Sequence, residues 1–327
     1  MKAVLIFQEE GKERPTLRYQ EVDEPTPGPT ELLVSVKAAG INRIDLLRST
    51  AHGGPAAGKP LIAGLEMAGD VIAVGSEVTG FKVGDKVMGM TTGAYAEKAI
   101  IDCRVANPIP KGFGYDYAAA VTTVYPTAHN ALVTNGRFTK GKTLLIQGAA
   151  SAVGVATLQI AKAIGSELVI GTGRNRQKAA DLEKYGINHF LVKGENNIAQ
   201  RVLELTDGRG VDVVIDMVGG GALADNLASV ALGGHIVSVG WMGGTKDELD
   251  LDTLARKRVS LVGVSFRTRT LQQKAELFSE FRRDIYPLFE SGKLTPLIQT
   301  VYPLADALRA QEDIALDRHL GKMILHP

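Results

Sequence analysis

The chain carries a single cysteine, Cys103. One thiol cannot make an intrachain disulfide, nor can it supply a cysteine-rich zinc lobe. No apolar run is long enough to span a bilayer. An excess of one charge is also missing: 37 Lys and Arg stand against 36 Asp and Glu, a formal net charge of +1. Bulk electrostatics therefore favour neither nucleic acid nor a membrane surface. A signal-peptide pattern is absent, because Met1-Lys2-Ala3-Val4-Leu5-Ile6 enters a strand-like run directly. Internal repeats and low-complexity segments are absent as well. What remains is a soluble, cytoplasmic globular protein, in keeping with 45% hydrophobic and 22% charged residues. Its 327 residues exceed one ordinary core, which predicts two domains.

The first third reads as β-rich. Leu32-Leu33-Val34-Ser35-Val36-Lys37-Ala38 is strand-like and follows a turn region at Pro25, Pro27, Gly28 and Pro29. Further strands are expected over 69–74, 86–88 and 95–101, separated by glycine turns, a pattern that suggests a small barrel. Residues 118–133 look helical, with Pro126 as an expected kink. From Thr143 the pattern alternates, with strands expected at 143–147, 167–171, 189–192, 211–216, 234–239 and 259–264 and helices between most of them. That is the pattern of a doubly wound parallel sheet in an α/β protein. The tail, Lys322-Met323-Ile324-Leu325, is a strand expected to return to the first domain.

The segment from Thr143 organises the chain. Strand-like Thr143-Leu144-Leu145-Ile146-Gln147 leads into Gly148-Ala149-Ala150-Ser151-Ala152-Val153-Gly154, then a helix that Gly165 is placed to stop. A strand, a turn of small residues and a helix N-terminus suit a pyrophosphate, with Ala150, Ser151, Ala152 and Val153 as contacts. Against G-x-G-x-x-G only Gly154 is kept, and a tight turn without a ligand is the competing reading. An acid is missing at the end of the next strand, where NAD-selecting enzymes bind the ribose 2′-hydroxyl. Gly173 stands there instead, followed by Arg174-Asn175-Arg176-Gln177-Lys178. Cations in that place suit a 2′-phosphate, so the cofactor expected is NADPH, held by Arg174 and Lys178. Val218, Gly219, Gly240, Trp241 and Met242 follow strand carboxyl ends, where ligands of such sheets bind. Ser265 and Phe266 follow the last strand and are expected at the nicotinamide end.

Gly40-Ile41-Asn42-Arg43-Ile44-Asp45, Gly64-Leu65-Glu66-Met67-Ala68-Gly69, Gly84-Asp85-Lys86-Val87, the turn 148–154 and Gly321-Lys322-Met323-Ile324-Leu325 together resemble the medium-chain dehydrogenase/reductase superfamily. Within it, the chain is similar to the zinc-free, zeta-crystallin-like quinone oxidoreductases. The resemblance implies a GroES-like β-barrel catalytic domain (1–122 and 267–327) and a Rossmann domain (123–266). Zinc members of the superfamily ligate their metal where this chain has Asn42 and Leu65, and a further cysteine position falls near Thr122 or Thr123. None of these is a usual zinc ligand, so no metal is expected.

The resemblance implies reduction of quinones or related conjugated carbonyls, which accept hydride without a Lewis acid. Asn42 would face nicotinamide and substrate, or else merely cap its loop. Thr127 would lie near the carboxamide, against a helix Thr bonding the preceding turn. Lys193 replaces a frequent Tyr beside the 2′-phosphate, and Lys322 would reach the cofactor from the tail. His52 is a candidate proton donor in Ala51-His52-Gly53-Gly54, against a solvated loop His. Tyr95 and Tyr125 are further polar candidates, and Cys103 is expected to pack in a strand-like run. A double-bond reductase of enals or enones shares every cofactor motif. A second role as an RNA-binding or lens-crystallin-like protein is the other alternative, with Arg256-Lys257-Arg258 and Arg282-Arg283 as local basic clusters. The apolar strand 259–265 is expected at the sheet edge, pairing with its copy in a homodimer.

Overall fold

The computed structural model describes residues 1–7, 15–47, 60–316 and 319–327. The chain divides into two compact units: Met1–Thr123, Leu271–Phe278 and Pro296–Pro327 in one, Val124–Thr270 and Ser279–Thr295 in the other. Among the described residues no helix is long and apolar enough to cross a membrane.

The first unit is built on the strand Glu31–Ile41. Leu32, Val34 and Val36 alternate into the core, as the period of two requires. The following small residues, Ala38 and Ala39, are buried with Ile41. The strand pairs antiparallel with Glu66–Val74, and its two ends find different partners: Lys98–Asp102 lies along residues 31–35, the tail strand Lys322–His326 along 39–41. The tail thus returns to the first unit as expected, with Met323 opposite Ile41 and Leu325 opposite Ala39. A separate sheet joins Lys2–Phe7 to Thr16–Glu21 and Leu61–Ile62. Cys103 sits in the turn after Lys98–Asp102, not within a strand.

The second unit is a six-stranded, fully parallel sheet in the order His189–Val192, Leu168–Gly173, Thr143–Gln147, Val211–Asp216, Val230–Ser238, Ser260–Gly263. Numbered along the chain this is 3-2-1-4-5-6, the Rossmann order. The central run Leu144-Leu145-Ile146 is wholly buried, and Leu145 packs with Ile170, Val214, Ile236, Val202 and Leu227. Strand Ser260–Gly263 is outermost.

Two expectations need correction. The helix foreseen over 118–133 is broken into Tyr115–Val121 and Val124–His129, followed by a π-type stretch Asn130–Asn135. The break at 122–123 falls four residues before Pro126, which has no N–H for the Thr122 carbonyl and whose ring crowds it, so the disruption expected at Pro126 takes the form of a break that leaves the proline in the first turn of Val124–His129. Of the 267–327 segment expected in the first domain, residues 267–270 and Ser279–Thr295 fall in the second compact unit. Aromatic packing explains the difference: the Phe289 ring meets Tyr125 edge-on at 5.0 Å, and Phe281 and Tyr286 extend that cluster. Asp284 adds a 2.9 Å contact to His129 Nε2.

Candidate active site

The turn after the first strand of the second unit has the shape that a phosphate needs. Gly148 adopts a φ of 82°, open to glycine at no steric cost. Ser151 caps the helix Ala152–Ile164, its hydroxyl accepting the Gly154 N–H at 3.0 Å. The Val155 N–H goes to the Ser151 carbonyl at 2.9 Å. The N–H groups of Ala152 and Val153 have no partner within the helix and face outward at its positive end. Gly154 is a packing requirement, since a Cβ there would stand 2.5 Å from the Ala149 carbonyl oxygen. These features fit a dinucleotide pyrophosphate.

Beneath the strand carboxyl ends runs a chain of buried amides and oxygens. Thr172 donates to Gln147 Oε1 at 2.7 Å, Gln147 Nε2 to Asn226 Oδ1 at 2.8 Å, and Asn226 Nδ2 to Asp216 Oδ2 at 3.0 Å. Asp216 Oδ1 accepts the N–H groups of Val218 and Gly219 at 2.7 and 3.1 Å. The Thr172 hydroxyl also receives the Gly148 N–H at 3.3 Å. Burial raises the pKa of Asp216 despite these donors. The phosphate turn and the 218–219 loop are thereby tied to one buried framework. Sequence reasoning missed it, and its signal was a polar residue closing each apolar strand: Gln147 after Leu-Leu-Ile, Asp216 after Val-Val-Ile.

The structure brings Val218, Gly219 and Gly240 together. Val239 and Gly240 donate to the Asp216 carbonyl at 2.7 and 3.2 Å, Gly243 to Val218 O at 2.7 Å and Gly220 to Gly244 O at 2.9 Å. Asp247 Oδ2 accepts the N–H groups of Gly221, Ala222 and Leu223 at 2.9, 3.1 and 3.0 Å, clasping the two loops. Trp241 and Met242 ride on this clasp, 42% and 52% exposed. Ser265 and Phe266 are half-buried after the edge strand, and Arg269 Nε donates to the Ser265 carbonyl at 3.0 Å. Thr127 is half-buried on Val124–His129.

At the other end, Gly173 closes its strand under the Phe190 ring, whose Cζ would lie 2.5 Å from any Cβ there. Packing therefore accounts for the glycine, and it leaves no room for the acid of NAD-selecting enzymes. Arg174 is exposed and Lys178 half-buried just beyond, while exposed Lys193 holds the Gly173 carbonyl with its backbone N–H at 2.9 Å. Arg176 is occupied by an ion pair with Glu195.

In the first unit, Asn42 follows the strand Glu31–Ile41 and is fixed at both ends of its side chain. Its Nδ2 donates to Glu66 Oε1 at 2.9 Å, and its Oδ1 accepts from Lys322 Nζ at 2.9 Å. Lys322 also donates to the Ile41 carbonyl at 2.8 Å and pairs directly with Glu66. Glu66 Oε2 takes the Thr123 N–H at 2.7 Å. The expected contact of Lys322 with the cofactor is thus revised: all three ammonium N–H groups are spent inside the unit, and the side chain is buried. Asp45 accepts the Asn42 N–H at 2.8 Å and the Tyr95 hydroxyl at 2.7 Å. Tyr95 is wholly buried on this bond, and Tyr125 is buried on Gln159, whose Nε2 reaches its hydroxyl at 3.1 Å. Neither tyrosine is exposed for substrate. His52 lies outside the described residues.

Burial pushes the Asp45 carboxyl up to about 6, against the lowering effects of the Asn42 N–H, Tyr95 and Lys322 and with a further raising effect from Glu66. Between the ordinary 3.8 and about 6 the folded protein holds a proton that the unfolded chain has lost. Stability therefore falls as pH rises through that window, by about 3 kcal/mol. Asp45→Asn keeps an acceptor for Asn42 and Tyr95 and should flatten this part of the profile. Denaturant unfolding across the window checks it; an unchanged slope would show that Asp45 titrates normally.

The residues do not fit zinc. Asn42 and Leu65, and Thr122 or Thr123, stand where the zinc members place their ligands. Asn42 and Thr123 are engaged with Glu66, and Thr122 Oγ1 with the Ala118 carbonyl at 2.9 Å. Among the described residues no group of three His, Cys, Asp or Glu side chains comes together for a metal.

Two family models match the chain: an alcohol dehydrogenase GroES-like domain over residues 28–124, and a zinc-binding dehydrogenase over 152–280. A quinone oxidoreductase of Pseudomonas aeruginosa is 36% identical over 318 residues, 95% of both chains. The structure of Escherichia coli quinone oxidoreductase complexed with NADPH superimposes with a TM-score of 0.89 at 29% identity, covering 100% of both chains. A mycobacterial protein, also complexed with NADPH, gives a TM-score of 0.90 at 30% identity, again covering 100% of both. With the Rossmann strand order, the GroES-like match and an asparagine engaged where zinc relatives ligate their metal, the chain belongs to the zinc-free quinone oxidoreductases of the medium-chain dehydrogenase/reductase superfamily.

Proposed function

We propose that this chain is an NADPH-dependent reductase of quinones or related conjugated carbonyls that works without a metal ion. The observation that carries it is Asn42, seated between Lys322 and Glu66 at the position of a zinc ligand. NADPH supplies a hydride; the quinone takes it with one proton from solvent and leaves as the hydroquinone. Ala150, Ser151, Ala152 and Val153 present the helix N-terminus to the pyrophosphate. Arg174 and Lys178, with Lys193 beside them, hold the 2′-phosphate. Val218, Gly219, Gly240, Trp241, Met242, Ser265 and Phe266 line the cofactor toward its nicotinamide, and Thr127 bonds the carboxamide. Asn42 donates its amide N–H to the acceptor oxygen. The named relatives support this reading.

Three members of the competing basic clusters already have partners within the chain. Lys257 Nζ caps the carbonyls of Leu227, Ala228 and Val230 at 2.8, 2.8 and 2.9 Å, Arg256 pairs with Asp252 at 2.8 Å, and Arg283 with Asp284 at 2.7 Å. A steady-state panel of quinones, enals, enones and simple alcohols with NADPH tests the function: quinones should turn over fastest and alcohols not at all. Faster turnover of enals or enones would identify a double-bond reductase instead.

The same proposal includes a homodimer through the edge strand. Leu261 is 42% exposed in Ser260–Gly263, which has no charge and no sheet partner on its outer side among the described residues. Pairing with a second copy would satisfy that edge. Light scattering should give a dimer for the wild type and a monomer for Leu261→Pro, since proline removes a ladder donor. A monomeric wild type, or a folded dimer of the variant, would rule out this interface.

A further inference from the structure

A buried ion pair is a poor means of gaining stability, because the desolvation of each ion offsets the attraction between them. The first unit nevertheless buries Lys322 against Glu66, 3% and 0% exposed. What the pair grips is one amide. Asn42 Oδ1 faces the ammonium and one Nδ2–H faces the carboxylate, at 2.9 Å each. Flipping the amide would set its NH2 against the ammonium and its oxygen against the carboxylate, so one orientation is enforced. The backbone is fixed too: Asn42 N–H donates to Asp45 Oδ2 at 2.8 Å, and Asp45 N–H to the Asn42 carbonyl at 3.0 Å. Glu66 is steadied in turn by the Thr123 N–H. Lys322, Glu66 and Asp45 are buried, while Asn42 itself is half-exposed. Among the described residues its second Nδ2–H carries no bond, which leaves one aimed donor.

We propose that Lys322 and Glu66 are positioning residues for hydride transfer, holding Asn42 so that this remaining N–H meets the oxygen of the acceptor. The inference rests on the reading of Asn42 given above. Hydride is delivered to one carbonyl oxygen of the quinone, its electron pair forming the new O–H bond and displacing π electrons through the ring onto the opposite oxygen. That oxygen becomes a phenolate, bonded by the Asn42 N–H, and a solvent proton completes the hydroquinone. The ammonium at Oδ1 draws density from the amide and strengthens the donor, as linked hydrogen bonds polarise one another. Because the bonds that hold the amide are already formed without acceptor, it needs no reorganisation during the reaction.

The test is a mutant cycle on the full chain, reading kcat with a quinone and the Kd for NADPH by its fluorescence. Asn42→Ala should lower kcat about 20-fold, the worth of a hydrogen bond to a developing charge. The neutral pair Lys322→Met with Glu66→Gln leaves no unpaired charge and should lower kcat by a similar factor. Adding Asn42→Ala to it should cost nothing more, because the three act as a unit. NADPH affinity should stay within about two-fold throughout. Should the double variant fail to fold, Lys322→Arg retains the charge but not the geometry. It should bind NADPH normally and turn over several-fold more slowly. An unchanged kcat in these pair variants, or multiplicative losses in the triple variant, would overturn the proposal. So would a ten-fold or greater loss of NADPH affinity, which would put Lys322 on the cofactor. A wild type that oxidises no NADPH with quinones would remove the functional reading itself; an active wild type with an insensitive pair would remove only this inference.

Discussion

With Arg174 and Lys178 both changed to alanine, the Michaelis constant for NADPH should rise about 100-fold, while that for NADH moves by less than about three-fold. The 2′-phosphate is the only difference between the two cofactors, so a selective loss assigns its recognition. Each cation offers a charge-assisted bond worth about 1.5–3 kcal/mol, and exposure of Arg174 places the pair toward the lower end. The local architecture supports the assignment from the other direction. Phe190 crowds Gly173, so the acid that would bind a 2′-hydroxyl cannot be introduced unless that ring yields. Equal changes for both cofactors would show that these side chains act on the fold or on the pyrophosphate instead.

Gly40→Ala should destabilise the first unit by about 4 kcal/mol. Its Cβ would fall on the Glu66 carboxylate, 2.7 Å from Cδ, and 2.9 Å from the Ala119 carbonyl oxygen. The backbone oxygen has nowhere to go, and the carboxylate can move only by leaving Lys322. That would bury an uncompensated ammonium. Thermal unfolding should register a drop of about 10 °C. No loss, or the gain of up to about 1 kcal/mol that an unhindered strand Gly→Ala change brings, would mean that Glu66 yields without cost. The same substitution reports on function, since the displaced carboxylate is the one that bonds Asn42.

The parts of the molecule visible in the sequence are those written in local pattern. Short apolar runs marked the six parallel strands, and the Ser151 cap and Gly165 stop bounded the first helix of the second unit. Long-range polar partners were not visible. Lys322 and Glu66 lie 256 residues apart, and Gln147 and Asn226 lie 79 apart. A lone polar residue at the end of an apolar strand announces that it needs a partner without naming it. Lys322 accordingly read as a cofactor contact, and Tyr95 as a substrate candidate, until Asn42 and Asp45 were seen to occupy them. The residues 279–295 went to the wrong domain because their aromatic face has helical spacing but no mark of which core it joins.

The most direct test of the account is quinone reduction by protein dialysed against a strong chelator and assayed for zinc, with NADPH and NADH compared side by side. Full turnover with NADPH, far lower efficiency with NADH and no stoichiometric zinc are expected. Loss of activity on chelation that added zinc restores would contradict it.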